Sequence, residues 1–136
     1  VSIGNESNVS TNSLTYIAYA WHGVEGFSRF GSYEGNNDAN GPFVYTGFKP
    51  RLVVIKAIDS AQDWIVHDTL RETFNPLGEK TLAWNDSYAQ FDPSTVNLDF
   101  TASGFKIRGN DTKINSAATV VYMAWADVPF KYNNTF

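Results

Sequence analysis

The sequence predicts an all-β chain: an antiparallel β-sandwich, of jelly-roll or concanavalin-like type, with eight to ten short strands. Three observations carry this. Short runs rich in Val, Ile, Tyr, Phe and Trp recur along the chain, and such residues suit a pleated, half-buried surface. Clusters of Gly, Asn, Asp and Pro separate the runs and supply turn chemistry at short intervals. No stretch of ten or more residues has apolar spacing of helical period; a turn of helix is expected only within 61–71.

Each element follows in order. Leu14 to Trp21 alternates, with Tyr16, Ala18 and Ala20 on one face and Ile17, Tyr19 and Trp21 on the other. Both faces are apolar, as in a strand covered on both sides. Gly23 and Gly26 end it. Phe27 to Tyr33 predicts a second strand, closed by the loop 34–42, whose sequence Glu-Gly-Asn-Asn-Asp-Ala-Asn-Gly-Pro is the clearest turn signal in the chain. Phe43 to Thr46 is a short strand ended by Gly47. Arg51 to Ile58 has the highest β-branched content and predicts a buried strand. Asp63 to Thr69 predicts another, and Asn75-Pro76-Leu77-Gly78 a turn. Leu82 to Pro93 has no period and predicts mostly loop. Val96 to Phe100 alternates and runs through Ser103-Gly104 into Phe105 to Arg108, a hairpin. Gly109-Asn110-Asp111 then turns the chain into a last strand, Thr119 to Val128.

That last strand occurs twice. Thr119-Val120-Val121-Tyr122-Met123-Ala124-Trp125-Ala126-Asp127-Val128 matches Thr15-Tyr16-Ile17-Ala18-Tyr19-Ala20-Trp21-His22-Gly23-Val24 at Thr, Ala, Trp and Val without a gap. The upstream flanks agree as well: Ile3-Gly4-Asn5-Glu6 resembles Ile107-Arg108-Gly109-Asn110-Asp111, and Val9 resembles Ile114. A separation of roughly 104 residues suits one whole β domain rather than a short solenoid repeat. Residues 1–27 are therefore expected to be closing strands of a preceding repeat unit or a linker, and 28–136 a C-terminal β-sandwich repeat unit. The stretch Lys131 to Phe136 departs from the repeat and is expected to be a true terminus. Tyr19, Trp21, Tyr122 and Trp125, all in the duplicated strands, are expected in the core or at a subunit contact.

Composition narrows the function. A chain of 136 residues can bury one good core. The net charge of -4 disfavours nucleic acid or an anionic membrane as partner, since both require basic patches. With no cysteine there is no disulfide, thiolate or cysteine–zinc chemistry. His22 and His67 are the two histidines. Period 2 places Asp63 and His67 on one face but about 13 Å apart, too far for a hydrogen-bonded pair. Carboxylate pairs such as Glu72 with Asp86 are arithmetically possible, yet spacing across loops cannot select one. No catalytic residue, no cofactor and no enzymatic activity is expected.

Two binding sites are candidates. Trp84, Tyr88 and Phe91 lie beside Asn85 and Asp86 in the segment without a period. Aromatic faces flanked by short polar side chains hold sugar rings by stacking and hydrogen bonding; the same rings could equally plug one end of a sandwich. Asn36, Asp38 and Asn40 gather oxygens that calcium would accept, but Asn, Asp and Gly also favour turns for backbone reasons alone.

The residues also carry a resemblance. Tyr16 to Trp21, Gly26 to Asn36, Asp38 to Pro50, Val53 to Lys56, Asp63-Trp64, Gly104 to Arg108 and Ala124 to Phe130 are together similar to a repeat domain in virion proteins of tailed phages infecting marine bacteria. The chain departs from it at His22-Gly23-Val24-Glu25, where that family has an acidic-Val-Pro stretch like Ala126 to Pro129. The resemblance implies a non-enzymatic virion structural protein, part of a tail fibre or appendage that contacts the host surface. It would associate with other virion proteins and, as a homotrimer, with copies of itself, so covering its sheet edges. A head-decoration or knob-like protein is one alternative. A carbohydrate-binding module of a secreted protein is the other, with a host glycan as ligand in either recognition role.

Overall fold

The computed structural model describes residues 4–92 and 94–127. Pro93, Val128 and the expected terminal stretch Lys131 to Phe136 lie outside the described residues. Eight strands form: β1 (Ser28–Glu34), β2 (Phe43–Tyr45), β3 (Pro50–Ala57), β4 (Ile65–Asp68), β5 (Leu82–Ala83), β6 (Leu98–Thr101), β7 (Gly104–Ile107) and β8 (Thr119–Ala126), with two four-residue helical turns, α1 (Ser7–Ser10) and α2 (Thr112–Asn115). They make two antiparallel sheets, ordered β1-β8-β3-β4-β5 and β2-β7-β6. The fold is an all-β sandwich.

The core lies between the sheets. β8 alternates strictly, sending Val120, Tyr122, Ala124 and Ala126 inward. Its neighbour β3 adds Val53, Ile55 and Ala57, and the smaller sheet adds Val44, Leu98, Phe100, Phe105 and Ile107. Tyr122 meets Phe105 edge to face at 5.5 Å, and Phe105 meets Tyr33 at 6.1 Å, the geometry that ring quadrupoles favour. Burial pushes the Tyr33 phenol well above the ordinary tyrosine range. That hydroxyl donates to the Ile114 carbonyl, which fixes α2 against β1.

β8 holds the larger sheet together, because β1 and β3 pair with it along its whole length and not with each other. The turn before it is shaped by its sequence. Asp111 caps α2 by accepting from the Lys113 amide at 2.9 Å, as short acceptors do at helix starts. Asn115 is fully buried and donates to the carbonyls of Asp38 and Gly109 while accepting from the Asn36 amide. This one side chain fastens the 34–42 loop to the sandwich.

Two expectations are corrected. Leu14 to Trp21 is not a strand: it runs irregularly and exposed. The slot its pattern fits, between β1 and β3, is already filled by β8. Helical turns form at 7–10 and 112–115, whereas 61–71 contains β4. Turns of four residues are too short to register as a period.

Candidate functional site

The outer face of the smaller sheet mixes charged and aromatic side chains, and that of the larger sheet gathers the tryptophans. On the three-stranded sheet, Asp99, Thr101 and Lys106 face outward from β6 and β7 and exposed Phe43 and Tyr45 from β2, opposite buried Val44, Leu98, Phe100, Phe105 and Ile107. Asp99 pairs with Arg108 at 3.2 Å. That is the usual division of an antiparallel sheet with one wet face.

The outer face of the five-stranded sheet is aromatic. Because side chains alternate along β8, Val121, Met123 and Trp125 point away from the core. The register sets Met123 beside Phe30 and Val54, Trp125 beside Leu52, and Val54 beside Val66. Val54 and Val66 are buried even on this outer face. Where β4 and β5 meet, the Trp84 amide donates to the Trp64 carbonyl at 2.9 Å, placing the two tryptophans opposite each other. Trp21 comes over from the N-terminal segment. Its ring meets Trp125 edge to face at 6.2 Å and stacks with Tyr19 at 6.1 Å, while Trp125 meets Phe30 at 5.5 Å.

All four tryptophans of the chain thus gather on one side of one sheet. Trp21, Trp64, Trp84, Asn85 and Met123 line a shallow depression there of about 270 Å³. Exposed apolar surface of this kind marks a place of contact. It offers ring faces, indole N–H donors and a thioether.

The proposed sugar-site residues divide. Trp84 and Asn85 line the depression; Asp86, Tyr88 and Phe91 do not. The Asn85 oxygen accepts from the Trp64 amide at 2.8 Å and its amide group donates to Asp63 at 3.0 Å, so this side chain braces the Trp64–Trp84 pair. Asp86 accepts from the neighbouring Ser87 amide. Tyr88 is exposed. Phe91 pairs its backbone with Thr81 and packs its ring against the core. Sequence reasoning missed Trp64, Met123 and the convergence with Trp21 and Trp125. The alternation of β8 places Met123 and Trp125 on one face, but it takes the strand order to bring β4 and β5 to the same side.

The remaining candidates are tied up in local structure. In the 34–42 loop the Asn36 oxygen accepts from the Asp38 amide and the Asp38 carboxylate from the Asn40 amide, as Asx turns do. The Asn36 amide group donates to the Asn40 carbonyl. The Glu72 carboxylate gathers the amides of Gly78, Glu79 and Lys80 at 2.8 to 3.3 Å, which folds the 76–80 turn. His67 faces the core from β4 beside Val53; both its ring nitrogens lack hydrogen-bond partners, and burial pulls its imidazole down to about 3. It stays neutral at physiological pH and out of reach of any solute.

No helix among the described residues is long and apolar enough to cross a membrane. No curated protein and no solved structure matches the chain. A family match spans residues 1–129, and the chain belongs to that family, described as a domain of unknown function (DUF7483).

Proposed function

We propose that this is a non-catalytic structural protein of a tailed-phage particle, part of a tail fibre or similar appendage that contacts the host, with the tryptophan face as its contact surface. The gathering of Trp64, Trp84 and Trp125 on one exposed sheet face, against which Trp21 also rests in this structure, carries the reading. Tryptophan is enriched where proteins meet partners, since its large rigid ring gives much contact at little entropic cost. The resemblance to virion repeat domains supports the setting. Association into a homotrimer follows the same reading, and a monomeric mass by light scattering counts against that part of it.

Gold-labelled antibody on intact particles tests the assignment by electron microscopy. Label on tail appendages is the expected result. Label over the head replaces the fibre with a decoration protein, and particles without label leave a secreted carbohydrate-binding module as the function.

A glycan is the second reading for the face itself, favoured by the braced Trp64–Trp84 pair. Trp84→Ala should then abolish retention on a glycan array while the unfolding midpoint of the protein stays close to that of the parent. An unchanged glycan profile removes the sugar.

A further inference from the structure

We propose that residues 4–22 are a donated segment: α1 and the stretch 15–22 complete a second sandwich unit of this same fold, taking there the place that α2 and β8 take here. This rests on the sequence duplication and is independent of the phage assignment.

The structure adds a local likeness to the duplicated sequence. Both copies form a four-residue helical turn at the matching place, Ser7–Ser10 and Thr112–Asn115. Both turns are entered through an extended residue, Glu6 at φ -64, ψ 136 and Asp111 at φ -67, ψ 136, and both are left through another, Thr11 and Ser116. The turn is thus set by local sequence, with or without a core to receive it.

What differs is the surroundings. Ile114 is fully buried, whereas its counterpart Val9 is 45% exposed. A Cβ on Gly109 would sit 1.8 Å from the Thr95 carbonyl oxygen; at its counterpart Gly4 nothing lies within 4 Å. Along the strand, Val121 and Met123 are half-buried while Ile17 and Tyr19 are 80% and 76% exposed. Among the described residues, no backbone hydrogen bond joins 15–21 to a strand. The first copy carries the pattern of a core strand, yet its ring contact with the sandwich is Trp21 laid on the outer face against Trp125, a contact the donated strand gives up.

The acceptor is a sandwich unit lacking its own last strand, which leaves an open slot between its equivalents of β1 and β3. It is a related unit preceding this one in a longer polypeptide rather than a second copy of this chain. Inward positions decide that. Tyr16 stands where fully buried Val120 stands, and Ala18 where Tyr122 fills the space against Phe105 and Tyr33. An identical core would be overfilled at one position and left with a cavity at the other, and both are destabilising. The acceptor core must be larger opposite Ala18 and smaller opposite Tyr16.

Fusing residues 24–108, a unit that ends before its own α2 and β8, to Gly4 of the chain supplies a slot. The matched donor carries Tyr16→Val, Ala18→Tyr and His22→Ala, restoring the inward pattern of β8, with Ser10→Asn in the place of buried Asn115. Amide hydrogen exchange should show residues 16–22 protected by about 100-fold or more in the matched fusion, and unprotected in the unfused monomer. Exchange in the native β8 reports that the second unit is folded. Unprotected 16–22 beside a folded second unit overturns the proposal. Equal protection in the unfused monomer overturns it too, because the segment would then belong to its own chain.

Discussion

Residues 4–22 and 109–126 spell the same local motif, a glycine, a helical turn and an alternating strand, and only the second is inside a core. Ile114, Val120, Ala124 and Ala126 are buried in the sandwich; Val9, Tyr16, Ala20 and His22 are not. The helical turn survives in both because a few neighbouring residues suffice for it, with a side-chain cap in the second copy and none in the first. The strand survives only where neighbours accept its hydrogen bonds, since an extended segment satisfies its backbone groups through other chains of residues or through water. Helical turns are local facts; strands are agreements between distant segments.

The largest effect that sharpens this contrast is expected at the paired aliphatic positions. Ile114→Ala should cost about 3 kcal/mol of unfolding free energy, in line with cavity formation at a fully buried site. Val9→Ala in the isolated chain should cost no more than about 0.5 kcal/mol, as exposed substitutions do. Denaturant unfolding of both variants checks it. A comparable loss at Val9 would mean that the first copy is packed after all.

Acid should act on the sandwich and leave the N-terminal segment indifferent. His67 is neutral in the fold down to about pH 3, whereas an unfolded histidine takes up its proton below about pH 6.5. Between those limits the unfolded state binds one more proton, so stability rises with pH and falls on acidification by about 1.4 kcal/mol per pH unit. Above pH 6.5 the contribution is fully retained. His67→Leu should remove that slope, read as the difference between the two stability–pH profiles. Parallel profiles would show that His67 is protonated within the fold.

The smallest effect is at the caps. Asp111→Ala removes a side chain that accepts from the Lys113 amide and should cost about 1 kcal/mol. Glu6→Ala, at a position with no side-chain cap, should leave the midpoint unchanged. Thermal melts of the pair suffice, and a loss at Glu6 would weaken the distinction between the copies.

Much of the sandwich was legible residue by residue. The β-branched run of β3, the alternation of β8, the hairpin through Ser103-Gly104 and the 34–42 loop stand where their side chains predict. The strand expected at 14–21 has the right pattern and no strand partner among the described residues, which no pattern can report. The candidate site was half legible. Trp84 and Asn85 stood out as an aromatic beside a short polar residue, but the same signal included Phe91, which the fold turns inward, and missed Trp64, which a β-strand flank disguises.

The sequence by itself determined which stretches could be strands, where the chain must turn and that the same closing motif is written twice. Each depends on properties of neighbouring residues: side-chain branching, period and cap chemistry. Tertiary structure decided which of the two motifs is packed, because a sheet has one slot between β1 and β3 and β8 fills it. It also decided that four tryptophans, spread from position 21 to position 125, share one face, since strand order and register place them there and neither is a local property.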